Sequence, residues 1–401
     1  MTSAARSTMI ETQRCFLKFI GKCTSRRHCR SISKMPTDDG KVKNKECSEN
    51  DQNPEPASDS NDTKNSKFKE YDCFLPDRKG DVQVCIIGGG ETSIYTAVLL
   101  KQSRMIKHVH LVDAQNSMAG AVLDASHIDT STRIKYFKRK NIKHALKETN
   151  IIALMDERDP NTIDSNLPAQ FEALTAYTCE MAEQMVTVSS DALVAVFARP
   201  VTTTLPMVSE IYKLAGWWDP DRIIGSTSHE RMRMEATTAN LLNLNPAFLS
   251  IPMVGGADPY TIVPLLSQAC PINRFTNTQH DMLMRSLRDS DKEMANIESR
   301  GPTLSAGAAA AKLILALAGG LGGFANVVNY AYVRSNVMPG CRFFTSKLHF
   351  GPGGVQKNFG LPKMSPAEIA HLEQAIPFIN QYTEMAMKAA FGRRSVKLKC
   401  E

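Results

Sequence analysis

The stretch from Val82 to Asp113 reads VQVCIIGGGETSIYTAVLLKQSRMIKHVHLVD. A short run rich in β-branched residues ends at three glycines, Gly88 to Gly90, and apolar residues at helical spacing follow. A second short apolar run ends at Asp113. Short apolar runs bounded by glycine favour strands, and a spacing of three or four favours a helix. The stretch therefore predicts strand, turn, helix, strand.

Gly88 and Gly90 stand where a dinucleotide-binding turn has its first two glycines. Gly88 would allow the tight turn and Gly90 the close approach of a pyrophosphate, while Ser93 holds the third glycine position. Asp113 is placed to hydrogen-bond an adenosine ribose, which favours NAD over NADP. Glu91 could instead occupy the amide donors of the helix N-terminus. In the simpler interpretation, the glycines only make a tight strand-to-helix turn.

The net charge of +7 is concentrated at the start of the chain. Residues 1–34 carry eight Lys/Arg and one acidic residue, so the remainder has 48 − 8 = 40 basic and 41 − 1 = 40 acidic residues. A formally neutral remainder gives no electrostatic case for nucleic acid as a partner. The 401 residues suit two domains plus extensions.

Composition divides the chain into five segments. Residues 1–34, basic and poor in acids, are typical of a transit peptide and predict import into the mitochondrial matrix; the alternative is a disordered basic tail on a cytoplasmic protein. Residues 35–78 are polar with almost no aliphatic side chains and predict a disordered linker. We expect a dinucleotide-binding domain at 79–224, a substrate-type domain at 225–392 and a basic tail at 393–401.

Strand and helix patterns alternate after Asp113. This alternation predicts an α/β fold, with a doubly wound, mostly parallel sheet of the Rossmann type followed by an α/β substrate domain. Ligands in such sheets bind beyond the carboxyl ends of the strands, so the loops that begin at Gly88, Met155, Arg199 and Gly225 should carry the chemistry. The predicted elements are a helix at 118–129, a strand at 150–155, a helix at 168–184, a strand at 193–198, a helix at 205–215 and a strand at 222–225.

No metal site and no membrane span are expected. The ten cysteines lack CxxC spacing, and the apolar surroundings of Cys85, Cys179 and Cys270 predict buried thiols. The apolar segment from Leu304 to Phe324 is interrupted by a lysine and rich in Ala and Gly, which favours a packed helix.

From about residue 80 to 390 the chain resembles malate dehydrogenases of the mitochondrial and bacterial type, within the lactate/malate dehydrogenase superfamily. The blocks that carry the resemblance follow in order. They read LVDAQNSMAGAVLDASHID, ARPVTTTLP, GWWDPDRIIGSTSHERMR, IPMVGGADPYTIVPLLS, TLSAGAAAAKLILAL and GPGGVQKNFGLPKMSPAEIAHLEQAIP. The resemblance implies NAD as cofactor, a small dicarboxylic acid (malate or oxaloacetate) as substrate, and a homodimer formed through helices including 118–129 and 229–244.

The resemblance also implies a catalytic His oriented by an Asp, and arginines that bind the substrate carboxylates. Ala257 stands at the His position, Glu230 at the Asp position, and Arg233 matches an arginine that fixes a substrate carboxylate. The lid, with a family pattern of the kind GxPRKPGMTR, is MDERDPNTIDSN here, shorter by about six residues and acidic, with Arg158 as its one arginine. Arg199 replaces an Asn that lies beside nicotinamide and substrate.

Several of these residues have alternative structural roles. Arg233 could pair with Glu230 on one helix face, and Asp113 could cap the turn that follows it. Arg199 could pair with the acidic lid instead of a ligand, which we consider its main role. Three residues are candidates to replace the missing catalytic His. His229 is expected on a different helical face from Glu230, His127 is expected to be structural, and Asp258 is expected to be ionised.

Three functions follow from this pattern. The preferred one is a malate dehydrogenase relative without effective catalysis that serves as a structural, regulatory or heteromeric partner of an active relative. The second is an active NAD-dependent oxidoreductase that interconverts L-malate and oxaloacetate at a rearranged site. The third is a non-catalytic NAD(H)-binding sensor.

Overall fold

A computed structural model describes residues 81–113, 117–158, 167–272, 274–298 and 301–400. From Lys79 onward the chain forms one compact unit. The predicted transit segment and linker, residues 1–34 and 35–78, lie outside the described residues. So does the lid from Asp159 to Asn166.

The first half of this unit alternates strands and helices, as the sequence predicts. Its elements are β1 (Val82–Ile87), α1 (Gly90–Lys101), β2 (Ile106–Asp113), α2 (Ala119–Ser126), β3 (Arg133–Lys138), α3 (Ile142–Leu146), β4 (Ile151–Leu154), α4 (Leu167–Val188), β5 (Leu193–Val196), α5 (Val201–Leu214) and β6 (Ile223–Ser226).

The second half contains three helices, an antiparallel group of strands and a long C-terminal helix. Its elements are α6 (Ser228–Leu241), β7 (Met253–Gly255), β8 (Ile262–Pro264), α7 (Asn277–Glu298), α8 (Leu304–Leu321), β9 (Val327–Arg334), β10 (Phe343–Gly351), β11 (Gly354–Asn358) and α9 (Pro366–Cys400). The predicted basic tail from residue 393 forms the last turns of α9 up to Cys400.

The strands form one sheet in the order β3-β2-β1-β4-β5-β6-β9-β10-β7-β8, with β11 paired to β10. The pairs from β3 to β6 are parallel, and those beyond β6 are antiparallel. β4 and β5 are buried along their whole length, as parallel strands covered on both faces must be. The order 3-2-1-4-5-6 confirms the predicted doubly wound fold.

One helix in the described part of the chain, α8, is long and apolar enough to cross a membrane by length and composition alone, with a mean hydropathy of 1.7. Most of it is buried inside the protein, against α1, α6 and β10. Gly307 allows a close approach to α1, because a Cβ atom there would lie 3.0 Å from Thr92 O. The predicted packed helix is therefore observed.

Three local predictions were wrong. No strand was predicted at β3, which lies at the edge of the sheet. Its charged residues alternate along the strand, and Ile134 is its one buried side chain. Helix α5 begins at Val201 and not at residue 205, because a distant carboxylate caps its first turn. Cys270 is exposed, whereas Cys85 and Cys179 are buried as expected.

Candidate functional site

The site lies where the strand order reverses, between β1 and β4. Each strand is parallel to the other, so their carboxyl ends lie at the same edge of the sheet. The glycine turn after Ile87 and the lid segment that begins at Met155 therefore meet there, and Met155 N donates to Ile87 O at 2.8 Å. A crevice at this switch point is the usual ligand site of such sheets.

The glycine turn is closed by the chain's own backbone. Gly88 has a φ of +149° and Gly90 one of +83°, conformations that favour glycine. Gly89 N donates to Asp156 O at 3.2 Å. A Cβ atom on Gly89 would lie 2.5 Å from Glu157 O, so the lid segment lies against the turn. An amide that a pyrophosphate would use is thus already bonded within the protein.

Glu157 is held beside this turn by an ion pair. Arg139, directly after β3, donates to Glu157 Oε1 at 2.9 Å and to both carboxylate oxygens of Glu180, at 3.2 and 2.7 Å. The guanidinium also lies over the ring of Tyr177, at 5.5 Å from its centroid. Tyr177 Oη donates to Met155 O at 3.3 Å, which fixes the beginning of the lid segment.

Asp156 is held on its other side by Arg199. The guanidinium makes two hydrogen bonds to Asp156 Oδ2, from Nε at 3.0 Å and Nη2 at 2.8 Å, and Arg199 N donates to Oδ1 at 2.7 Å. Arg199 also precedes a cis peptide bond to Pro200. The proposed pairing of Arg199 with the acidic lid is therefore present.

The other predicted cofactor residues are engaged within the fold. Asp113 is buried, and its Oδ2 accepts from the backbone N and the hydroxyl of Ser117, at 3.0 and 2.9 Å. Both hydrogen bonds hold Asp113 against Ser117, where the next described segment of the chain begins. Ser93 is buried and donates to Gly89 O at 3.2 Å. The carboxylate of Glu91 accepts a hydrogen bond from Thr303 Oγ1, before α8, at 3.2 Å.

Little space remains for a pyrophosphate at this turn. The cavity beside the glycines has a volume of about 10 Å³, enough for about one water molecule. Arg139, Glu157 and Tyr177 line it together with β1 and β2. This cavity, which borders Gly88 and Gly89, is too small for a phosphate group.

Ala257 lies in the loop between β7 and β8. Its side chain is 1% exposed and belongs to the main hydrophobic core. Its backbone N donates to Thr202 Oγ1 at 3.0 Å. The position that the resemblance assigns to the catalytic base thus carries a methyl group in apolar packing and no group that can transfer a proton.

Asp258, the next residue, caps α5. Its carboxylate accepts from Val201 N at 3.1 Å and Thr202 N at 3.0 Å, the first two amides of that helix. Burial raises the pKa of Asp258 to about 6, although the hydrogen bonds from Thr202 and Val201 act in the opposite direction. The group was expected to be ionised; its burial places the pKa closer to neutrality than that of a solvated Asp.

Glu230 and His229 begin α6 and lie closer together than expected. His229 Nδ1 is 3.7 Å from Glu230 Oε1, so the two side chains do not occupy separate faces. His229 Nε2 lies 3.1 Å from Ser305 Oγ at the start of α8, and 3.3 Å from Arg233 Nη2. His229 and Glu230 are both buried, whereas Ser305 is exposed. The cluster therefore joins the first turns of two helices.

Arg233 pairs with Asp291 of α7 and not with Glu230. Its Nη2 donates to Asp291 Oδ1, and Nη1 donates to Leu287 O at 3.5 Å. Burial alone would raise the pKa of Asp291, but the charges of Arg233, His229 and Arg199 lower it below its ordinary value. The alternative pairing within α6 was wrong because a carboxylate 58 residues away lies nearer to the guanidinium.

The charged side chains of the site pair with one another within the protein. Burial alone would lower the pKa of Arg199, but Asp156, Asp291 and Glu230 raise it above its ordinary value. Arg139, Arg199 and Arg233 thus each pair with a carboxylate of the same chain. Arg158 is exposed at the last described position of the lid, and His127 is exposed at the end of α2.

Four residues of this site were missed by the sequence analysis. Arg139 follows the strand that was not predicted, and Glu180 pairs with it from α4. Asp291 and Ser305 come from α7 and α8, far along the chain. For Arg139 the alternation of residues 133–138 was an available signal, whereas the other three carry no local motif.

Two family models match the chain in succession. The lactate/malate dehydrogenase NAD binding domain matches residues 82–225. The lactate/malate dehydrogenase alpha/beta C-terminal domain matches residues 227–388. The boundary between the matches falls at the end of β6, after which the sheet becomes antiparallel.

Relatives and solved structures agree with these matches. Mitochondrial malate dehydrogenase of Caenorhabditis elegans is 30% identical over 289 residues, covering 71% of this chain and 83% of the relative. That of Sus scrofa is 28% identical over 317 residues, covering 76% and 90%. The structure of malate dehydrogenase from Aeropyrum pernix shares the fold, with a TM-score of 0.66 and 15% identity, covering 75% of this chain and 97% of that one. The structure of lactate dehydrogenase from Cryptosporidium parvum with lactic acid and NAD also shares it, with a TM-score of 0.67 and 17% identity, covering 76% of this chain and 98% of that one. The chain belongs to the lactate/malate dehydrogenase family.

Proposed function

We propose that this chain is a catalytically impaired or inactive member of its family, which acts as a structural, regulatory or heteromeric partner of an active relative. The observation that carries the proposal is the position of Asp156. Its carbonyl accepts a hydrogen bond from the Gly89 amide, and its carboxylate accepts a hydrogen bond from the Arg199 guanidinium. Asp156 thus occupies both an amide donor at the glycine turn, where a cofactor phosphate would bind, and the guanidinium of Arg199.

A side chain that can accept the substrate proton is the second feature that this site lacks. Loss of a positioned general acid or base costs about 10²- to 10⁴-fold in rate. Ala257 provides no replacement, and the nearest carboxylate along the chain, Asp258, is committed to two amides of α5. Oxidation of a 2-hydroxy acid would therefore lack a group to accept the hydroxyl proton at the position where the family has one.

Substrate binding is impaired by the same kind of internal pairing. A dicarboxylate such as malate or oxaloacetate needs guanidinium forks that are open to it. Arg233 is bonded to Asp291 and Arg199 to Asp156. A substrate would have to displace these carboxylates and would meet the acidic residues of the lid, which supports the assignment of a non-catalytic role.

The proposed partner is a second subunit of the same family, either a copy of this chain or an active malate dehydrogenase. The relatives named above are mitochondrial enzymes, and we propose the mitochondrial matrix as the location, with the cytoplasm as the alternative. Leu123, 63% exposed on α2, belongs to the surface assigned to dimerisation by the resemblance. Size-exclusion chromatography with light scattering, with and without an active relative, would measure the assembly.

Calorimetric titration with NADH tests the proposed loss of cofactor binding. We expect no saturating heat at cofactor concentrations up to about 10⁻⁴ M, because the lid segment fills the glycine turn. An active mitochondrial malate dehydrogenase titrated in the same buffer is the control. Saturating heat without turnover would favour the NAD(H)-binding sensor and would contradict the proposed closure of the turn.

The second candidate function is an active NAD-dependent malate/oxaloacetate oxidoreductase. The contacts of His229, with Nδ1 3.7 Å from Glu230 and Nε2 3.1 Å from Ser305, favour it. They resemble a base oriented by a carboxylate. If His229 were the base, His229→Ala would remove measurable oxaloacetate-dependent oxidation of NADH, whereas His127→Ala, at an exposed helix end, would leave it unchanged.

A further inference from the structure

We propose that an open pocket between α7 and α9 binds a small soluble molecule that carries a phosphate group. The pocket has a volume of about 290 Å³. Its lining consists of His280, Asp281, Met284, Arg285 and Arg288 on α7 and His371 on α9. It is independent of the proposed function, since none of these residues belongs to the site at the glycine turn.

The guanidinium groups of this pocket have no carboxylate partner among the described residues. Arg285 and Arg288 lie one turn apart on α7 and line the same pocket. Within the part of the chain that the structure describes, neither forms an ion pair, and Arg285 Nε donates only to the backbone O of Asp281, at 3.4 Å. By contrast, Arg139, Arg199 and Arg233 each bind a carboxylate. The two pocket arginines are therefore available to an external anion.

Two imidazole rings and the Asp281 carboxylate form the rest of the wall, and His280 Nδ1 lies 3.9 Å from Asp281 Oδ1. His280 and His371 are stacked, with ring centroids 5.7 Å apart and planes inclined by 28°. Burial, His280 and Arg288 lower the pKa of His371, and Asp281 and Glu368 oppose them. Glu368 already accepts from Ser267 and Ser365. A bound anion would replace repulsion between these neighbours with attraction.

Charge and shape favour a phosphate over a metal ion or a monocarboxylate. Among the described residues no group of three metal-binding side chains occurs, which disfavours a metal ion. Donors come from two helices, which suits the three acceptor oxygens of a phosphate better than the two of a carboxylate. The volume lies at the lower end of the range for small-molecule sites, about 300 to 1,000 Å³.

Binding of inorganic phosphate and of glycerol 3-phosphate to the full-length protein tests the proposal. Calorimetry should give saturable binding with a Kd below about 10⁻³ M. In NMR spectra the ring protons of His280 and His371 should shift on titration. Arg288→Gln should weaken binding at least about tenfold. Arg104→Gln, at an exposed position away from the pocket, should leave it unchanged.

The outcomes separate the alternatives. The proposal is overturned if neither phosphate compound shows saturable binding. It is also overturned if Arg104→Gln lowers the affinity as much as Arg288→Gln does. Malonate that binds more tightly than phosphate also overturns it, because the site would then select dicarboxylates. If Arg288→Gln does not fold, His371→Gln serves as the second variant, with the same expected loss. A phosphate response confined to glycerol 3-phosphate would support an organic phosphate as the ligand.

Discussion

Arg199→Ala is expected to lower the free energy of unfolding by about 3 kcal/mol. The substitution leaves the mostly buried carboxylate of Asp156 without the guanidinium that makes two hydrogen bonds to it. Breaking a buried pair by removing one partner is costly because the remaining charge stays desolvated. Urea denaturation of the wild-type and variant proteins, followed by circular dichroism, measures the difference.

The paired replacement Asp156→Leu with Arg199→Met is the matched control for this prediction. Replacing both members of a buried ion pair with apolar groups is often close to neutral. We therefore expect the double variant to be more stable than Arg199→Ala alone. A cost below about 0.5 kcal/mol for Arg199→Ala, typical of an exposed ion pair, would show that the guanidinium is not holding the lid segment in place.

The stability of the protein should depend on the ionisation of Asp258. Its pKa is about 6 in the folded protein, whereas Asp in an unfolded chain titrates near 3.9. The folded state thus binds this proton more tightly. The group stabilises the fold below about pH 4, and this contribution is lost as the pH rises through about 6. Across that window we expect a change of about 2 to 3 kcal/mol.

Comparison with Asp258→Asn isolates this effect. Asparagine keeps an oxygen that can accept from the amides of α5, but it does not titrate. The difference in unfolding free energy between wild type and variant should therefore move in favour of the variant between about pH 4 and pH 7. Asp81→Asn, at a position 84% exposed in its side chain, should show no comparable change. A constant difference for Asp258→Asn would contradict the raised pKa.

The fold could be predicted because its signals are local. The apolar runs around the three glycines, and the alternation that follows, correctly predict β1, α1, β2 and the doubly wound sheet. The edge strand β3 was missed because edge strands are short and charged, and Ile134 is its one buried residue. The start of α5 was missed because its cap, Asp258, comes from the loop between β7 and β8.

The internal pairing of the site could be predicted only in part. The acidic lid suggested a partner for Arg199, and Asp156 provides it. No pattern in the sequence connects Arg233 to Asp291 or His229 to Ser305, because these contacts depend on how α6, α7 and α8 pack together. Helical spacing favoured Glu230 as the partner of Arg233, and tertiary packing overrode that preference.

Oxaloacetate-driven oxidation of NADH tests the central claim most directly. The full-length protein and a protein lacking residues 1–76 would each be assayed with and without Ala257→His. The account predicts no measurable turnover in any of the four, because the paired arginines and the closed glycine turn remain when the histidine is restored. Turnover of the unmodified protein near that of an ordinary mitochondrial malate dehydrogenase would contradict it, and rescue by Ala257→His alone would show that the missing base is the whole defect.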